Sequence, residues 1–125
     1  TLSLKLLPQR LAVCQIAPES PFPNWAQSTR MLSLTRTPDE LSIVCEEKFV
    51  PEEVSAERGW RALKVNGPLD FSLIGILAAL ATTLAAAEIS IFALSTYNTD
   101  YLLLKEANLA RAFKALESAG YTLTI

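Results

Sequence analysis

The chain has 125 residues, half of them hydrophobic, a net charge of −2 and an isoelectric point near 5.1. That is enough to bury a core in one compact unit, or in two small units fused across a shared core, and the acidic balance leaves no basic footprint for nucleic acid. There is no histidine, which removes the commonest general base and metal ligand and with them triads and histidine-metal sites.

In chain order, Leu4 to Leu7 alternates briefly until Pro8, and Arg10 to Ala17 reads as a buried strand ending at Pro18. The three prolines between Pro18 and Pro23 exclude a long helix, so Asn24 to Gln27 has room for one turn, capped by Asn24 and anchored by Trp25. Met31 to Arg36 alternates as a strand. Thr37-Pro38-Asp39-Glu40 has the form of a capping box, predicting one helical turn before a strand from Leu41 to Glu46. Lys48 to Arg58 is charged and reads as a solvated connector. Cys14 and Cys45 sit inside apolar alternating runs on the first and third strands of this half. They are expected as buried free thiols rather than a disulfide or a nucleophile, although the overlay of the two halves makes them candidate neighbours.

Trp60 to Asn66 alternates as a strand and stops at Gly67-Pro68. Ser72 suits an N-cap for an alanine-rich helix in which Leu73, Ile76, Leu77, Leu80 and Leu84 recur at helical spacing. Phe71 to Ala87 carries no charge, but it is shorter than the roughly 20 residues a bilayer needs and reads as a core helix. Ile89 to Ser95 and Tyr101 to Lys105 form a hairpin across the polar turn Thr96 to Asp100. Asn108 is expected to cap a last helix with Leu109, Ala112, Phe113 and Leu116 as its stripe; Gly120 ends it before a strand from Tyr121 to Ile125. The order is βαββαβ. The N-terminal stretch lacks the pattern of a signal peptide, so a soluble, reducing, cytoplasmic setting is the expectation, with no membrane partner.

The two halves overlay. Leu34 to Glu46 falls on Leu94 to Glu106 at a shift of 60 (94 − 34), and Ala17-Pro18 falls on Gly67-Pro68 at a shift of 50 (67 − 17). Residues 1–59 then form a degenerate copy of the unit that residues 60–125 complete, with its first helix cut to a turn. Two unrelated hairpins of similar length would also align this well.

With the first two strands of such a unit parallel and the third between them, Gly67 to Ser72 and Thr96 to Asp100 emerge at one edge of the sheet. There the helix start offers backbone N–H groups and the positive end of its dipole to a carboxylate. Gly75, placed in the first helical turn, costs roughly 1 kcal/mol against alanine unless a ligand must come close. Asp70 and Asp100 can hold a cation, Thr96 and Asn98 add hydrogen bonds, and Tyr97 adds a flat wall. Carboxylate at one end and cation at the other describes a free amino acid. Each residue also has a plain structural role: Asp70 as a dipole partner, Gly75 for close packing, Asn98 and Asp100 as turn formers.

Gly67-Pro68-Leu69-Asp70-Phe71-Ser72-Leu73-Ile74-Gly75-Ile76-Leu77, followed by Ile89 to Leu104, resembles an ACT domain, and Ser33 to Val44 fits the same group. The chain is similar to the small tandem-ACT proteins related to aspartate kinase regulatory domains and the CASTOR arginine sensors. The resemblance implies an α+β, ferredoxin-like fold of two tandem βαββαβ units, the first degenerate, with antiparallel sheets and helices on one face. It implies a non-enzymatic, allosteric amino-acid sensor without cofactor or metal. Gly75 and Ile76 would offer main-chain groups, Thr96 and Tyr97 would line the pocket, and Asp100 would meet the ligand's positive group, with Asp70 nearby. A homo-oligomer, such as a dimer, or a regulated protein partner would carry the signal. The competing expectation is a ligand-free oligomerisation module of the same fold.

Overall fold

The computed structural model describes residues 2–27, 29–66 and 74–125. The loop from Gly67, Asp70 and the expected Ser72 cap lie outside the described residues. Among the described residues there are eight strands and two α-helices, in the order β1 (Ser3–Leu6), β2 (Leu11–Ile16), β3 (Ser33–Arg36), β4 (Leu41–Glu46), β5 (Ala56–Val65), α1 (Ile76–Ala86), β6 (Phe92–Ser95), β7 (Asp100–Lys105), α2 (Leu109–Ser118) and β8 (Thr122–Thr124). This is the expected α+β, ACT-like ferredoxin fold. The chain divides into two compact units, Gln9–Trp60 and Arg61–Ile125 together with the residues through Pro8.

In the N-terminal unit β4 lies between β3 and β2, antiparallel to both, and β2 pairs on its other edge with the first half of β5. One face carries Ala12, Cys14, Leu41, Ile43, Cys45 and Val50, with Ala26 buried against them and Trp25 partly so, which seats the expected anchor. Among the described residues this unit has no α-helix; only a short 3-10 helix, Glu47–Phe49, follows β4. The stretch expected as a connector, Lys48 to Arg58, begins in the 3-10 helix and ends in strand, because Ala56 to Arg58 begin β5. A register shift opposite Leu11 to Val13 marks a bulge near Gly59, and the Gly59 N–H donates to Glu47 Oε1 at 2.6 Å. The expected capping box is a hairpin turn instead. The Thr37 N–H donates to the Glu40 carbonyl at 2.9 Å, while Glu40 Oε1 accepts from Gln15 at 3.3 Å rather than reaching back.

In the C-terminal unit β7 lies between β5 and β6, the expected order. The division at 59/60 leaves β1 with the N-terminal half, yet β1 pairs antiparallel with β5 (Leu4↔Val65, Leu6↔Leu63) and parallel with β8 (Leu4↔Leu123). A short apolar strand has no local signal for which distant edge it will fill, so sequence adjacency misplaces it. Leu4, Leu6, Leu63, Val65, Leu102 and Leu104 form one face, and both helices cover it through Leu80, Leu84, Ala112 and Leu116. Burial of each such leucine stabilises by roughly 1.5–3 kcal/mol, which makes this the main cohesive element of the unit.

The helix boundaries moved. α1 starts at Ile76, so Gly75 precedes it with φ +83, a left-handed conformation that L side chains rarely adopt. Glycine there meets a backbone need, and its cost within a helical turn is no longer an argument for a ligand. Asn108 makes no cap hydrogen bond; its Oδ1 accepts from Arg111 at 2.9 Å.

The two hairpins correspond more closely than the sequence overlay indicates, at a different offset. Arg36↔Leu41 and Ser95↔Asp100 close them, giving a shift of 59 (95 − 36, 100 − 41) rather than 60. At that shift Thr37→Glu40 falls on Thr96→Thr99, both 2.9 Å, and the 3-10 helix Glu47–Phe49 falls on Glu106–Asn108. Each 3-10 helix opens with a glutamate in an ion pair, Arg10–Glu47 at 3.4 Å and Arg61–Glu106 at 3.2 Å.

Candidate functional site

The candidate site has two parts in the C-terminal unit: the β6–β7 turn, which closes against the end of β5, and the start of α1. Asn66 fixes the end of β5: its N–H donates to the Ser3 carbonyl at 3.0 Å and its side-chain amide to Ser3 Oγ at 2.7 Å. The β6–β7 turn is held from within. The Thr96 N–H and hydroxyl both donate to the Thr99 carbonyl, at 2.9 and 3.1 Å, and the Thr99 N–H points back at Thr96 Oγ1. The Thr99 hydroxyl then donates to the Val65 carbonyl at 2.6 Å, in a buried position, which pins the turn against the end of β5.

This arrangement leaves Thr96 and Asn98 exposed and Tyr97 82% exposed, with Asp100 half-buried. Asp100 Oδ1 accepts a 2.6 Å hydrogen bond from Ser95 Oγ, its pair partner across the hairpin. A carboxylate held at one oxygen keeps further lone pairs for an ammonium or guanidinium group.

At the α1 start, Gly75 gives no side-chain cap, and the first turn, Ile76 included, carries no acidic residue. The first helical bond runs from the Ala79 N–H to the Gly75 carbonyl at 2.8 Å, so the N–H groups of Ile76 to Ala78 precede the helix's own ladder. Ile76 is half-buried against the core, whereas Ile74 is 92% exposed. The positive end of the α1 dipole is thus not neutralised by a side chain of its own first turn.

Of the expected residues, Thr96, Tyr97 and Asp100 share one turn, and Gly75 and Ile76 share one helix start. Asp70 lies outside the described residues. Sequence reasoning passed over Ser95 and Thr99. Ser95 is the last residue of an alternating strand, and only the pairing register reveals that it faces Asp100. Thr99 sat among turn formers, and its burial depends on a strand distant in sequence. The described residues contain no cluster that could hold a metal ion and no helix long and apolar enough to cross a membrane.

Comparison with known proteins gives three results. The family model described as ACT domain matches residues 55–118, and a second model, for an N-terminal domain, matches residues 9–53. The cytosolic arginine sensor for mTORC1 subunit 1 of Homo sapiens is 39% identical over 59 residues, 46% of this chain and 18% of that protein, as is the Bos taurus protein. The chain therefore aligns with under a fifth of the length of these curated relatives. Among solved structures, a protein from Agrobacterium tumefaciens superposes with a TM-score of 0.92 at 34% identity, covering 98% of this chain and 91% of that one. The regulatory subunit of aspartate kinase from Thermus thermophilus superposes with a TM-score of 0.66 at 11% identity over 94% and 97%, a likeness of fold alone.

Proposed function

The chain belongs to the ACT domain family, and from that premise we propose that it is a non-enzymatic regulatory protein that binds a free amino acid. Two observations support the reading: Gly75 gives the α1 start no side-chain cap, and an acidic, hydroxyl-rich turn is pinned against the end of β5; the proposal is that the two face one ligand. An uncapped N-terminus favours the ligand's carboxylate, and Asp100 favours its cationic end. In this proposal Gly75 and Ile76 supply main-chain groups, Thr96 and Tyr97 line the ligand, Asp100 pairs with the positive group, and Asp70 is a second carboxylate for that group. The identification of curated relatives as arginine sensors supports an amino-acid ligand.

We further propose that residues 1–59 and 60–125 arose as tandem copies, supported by hairpin turns and 3-10 helices that match at a shift of 59 and by a glutamate opening each 3-10 helix in an ion pair with an arginine. A cytoplasmic location, and signalling through a homo-oligomer such as a dimer or through a regulated partner protein, complete the allosteric reading.

The second reading is a ligand-free oligomerisation module. The outer face of α1 favours it, since Ala78, Ala79, Thr82, Ala85 and Ala86 are exposed and uncharged. Thermal unfolding against a panel of free amino acids separates the two, because a ligand at 100 times its Kd adds about 2.7 kcal/mol to stability. A rise in melting temperature with one class of amino acid supports the sensor. A flat response across the panel, with a concentration-dependent melting temperature, supports the module.

A further inference from the structure

The N-terminal unit contains a pair of thiols that the amino-acid reading does not use. In the β2–β4 ladder Cys14 stands opposite Ile43 and Cys45 opposite Ala12, so the cysteines are diagonal neighbours on the same face. Both are free and buried, at 1% and 0% exposure, among Ala12, Ala26, Leu41, Ile43 and Val50. The neighbouring Cys45 thiol lowers the Cys14 pKa; burial opposes this and the Arg58 guanidinium reinforces it. The nearness of Cys14, followed by burial, pushes the Cys45 thiol far above its usual range. Arg58 is itself positioned by donating to the Pro51 carbonyl at 2.9 Å. The two thiols are therefore same-face neighbours of unlike acidity, Cys14 being the more acidic and Cys45 the proton-bearing partner.

From this juxtaposition of Cys14 and Cys45 across the two central strands of the unit, we propose a reversible dithiol–disulfide pair that responds to hydroperoxides. The Cys14 thiolate attacks a peroxide oxygen; the O–O bond breaks, the alkoxide or hydroxide leaves and takes up a proton, and Cys14 becomes a sulfenic acid. The Cys45 sulfur then attacks the Cys14 sulfur, the S–O bond breaks, and the departing hydroxide takes the Cys45 proton as water. In sum, two thiols and one hydroperoxide give one disulfide, one alcohol or water, and a further water.

Two features make the disulfide reversible and selective. Diagonal neighbours stand about 7–8 Å apart at Cα, near or beyond the span a relaxed disulfide bridges, so the bond draws β2 and β4 together under strain and a small dithiol reduces it readily. The chain has no third cysteine with which to exchange. Because both sulfurs are buried, access depends on opening of the β2–β4 region, so oxidation proceeds more slowly than for an exposed thiol.

The test uses the reduced full chain, exposed to hydrogen peroxide, quenched with an alkylating reagent in denaturant, and mapped by mass spectrometry. The expected result is a monomer that has lost two hydrogens, with the Cys14 and Cys45 peptides joined and both thiols restored by dithiothreitol. In Cys45→Ser, dimedone captures a sulfenic acid at Cys14; in Cys14→Ser, Cys45 stays unmodified. Thiols that remain fully alkylatable after peroxide treatment that oxidises a free small-molecule thiol overturn the proposal, as do sulfinic acid or disulfide-linked dimers as the sole products. The mapping of the unsubstituted chain decides the matter even where a variant fails to fold.

Discussion

Ser95 donates a 2.6 Å hydrogen bond to the Asp100 carboxylate across the closing pair of the β6–β7 hairpin. The residue proposed to meet the ligand's positive group is therefore already oriented before any ligand arrives. Such preorganisation lowers the cost of binding, since the side chain has little rotamer freedom left to lose.

Asp100→Ala is expected to abolish the rise in melting temperature given by the responsive amino acid while moving the unliganded melting temperature little. Ser95 is exposed and its hydroxyl finds water, so the lost bond costs no more than about 1 kcal/mol. Calorimetric titration of the variant checks this; affinity equal to the parent's would place the cation elsewhere.

Thr99→Val keeps shape but removes the hydroxyl that donates to the Val65 carbonyl. Loss of this buried hydrogen bond is expected to cost about 1 kcal/mol in denaturant unfolding. Because the same bond sets the turn against β5, ligand affinity is expected to fall as well. Thr99→Ser should recover most of both losses.

Both helices end in the same six-residue closure, with different residues at its left-handed position. Ile89 donates to the Leu84 carbonyl and Tyr121 to that of Leu116, each at 3.0 Å, around Glu88 at φ +60 and Gly120 at φ +98. Glu88→Gly should therefore stabilise by up to about 1 kcal/mol, and Gly120→Ala should destabilise by about the same amount, in urea unfolding. Equal effects of like sign would show that the two ends are not equivalent.

The paired ion pairs differ in exposure. The Arg61 side chain is 16% exposed and also donates to the Leu7 carbonyl at 2.9 Å, whereas the Arg10 side chain is 49% exposed. Double-mutant cycles with Arg61→Met/Glu106→Gln and Arg10→Met/Glu47→Gln are expected to give coupling of about 1–2 kcal/mol in the first and below about 1 kcal/mol in the second. Added salt should reduce the second more.

Much of this was legible in the residues themselves. The leucines of α1 and α2, the alternation of β5 and the polar turn after Ser95 follow from short-range periodicity, and they fixed the unit and the strand order. What periodicity does not carry is pairing between distant segments. It gave no partner for β1, no contact for Thr99 and no register for the hairpins, so the overlay of the halves came out one residue long. Local signals also misled where they had two uses: Thr37 to Glu40 has the letters of a helix cap and forms a hairpin turn, and Asn108 has the letters of a cap and instead holds Arg111.

Strand β1 has a kinetic consequence. The Thr124 hydroxyl donates to the Leu4 carbonyl across 120 positions, so the first strand waits for the last before the C-terminal layer is complete. During synthesis β1 leaves the ribosome with neither neighbour available, and loop closure over 120 positions makes that docking a late, slow event.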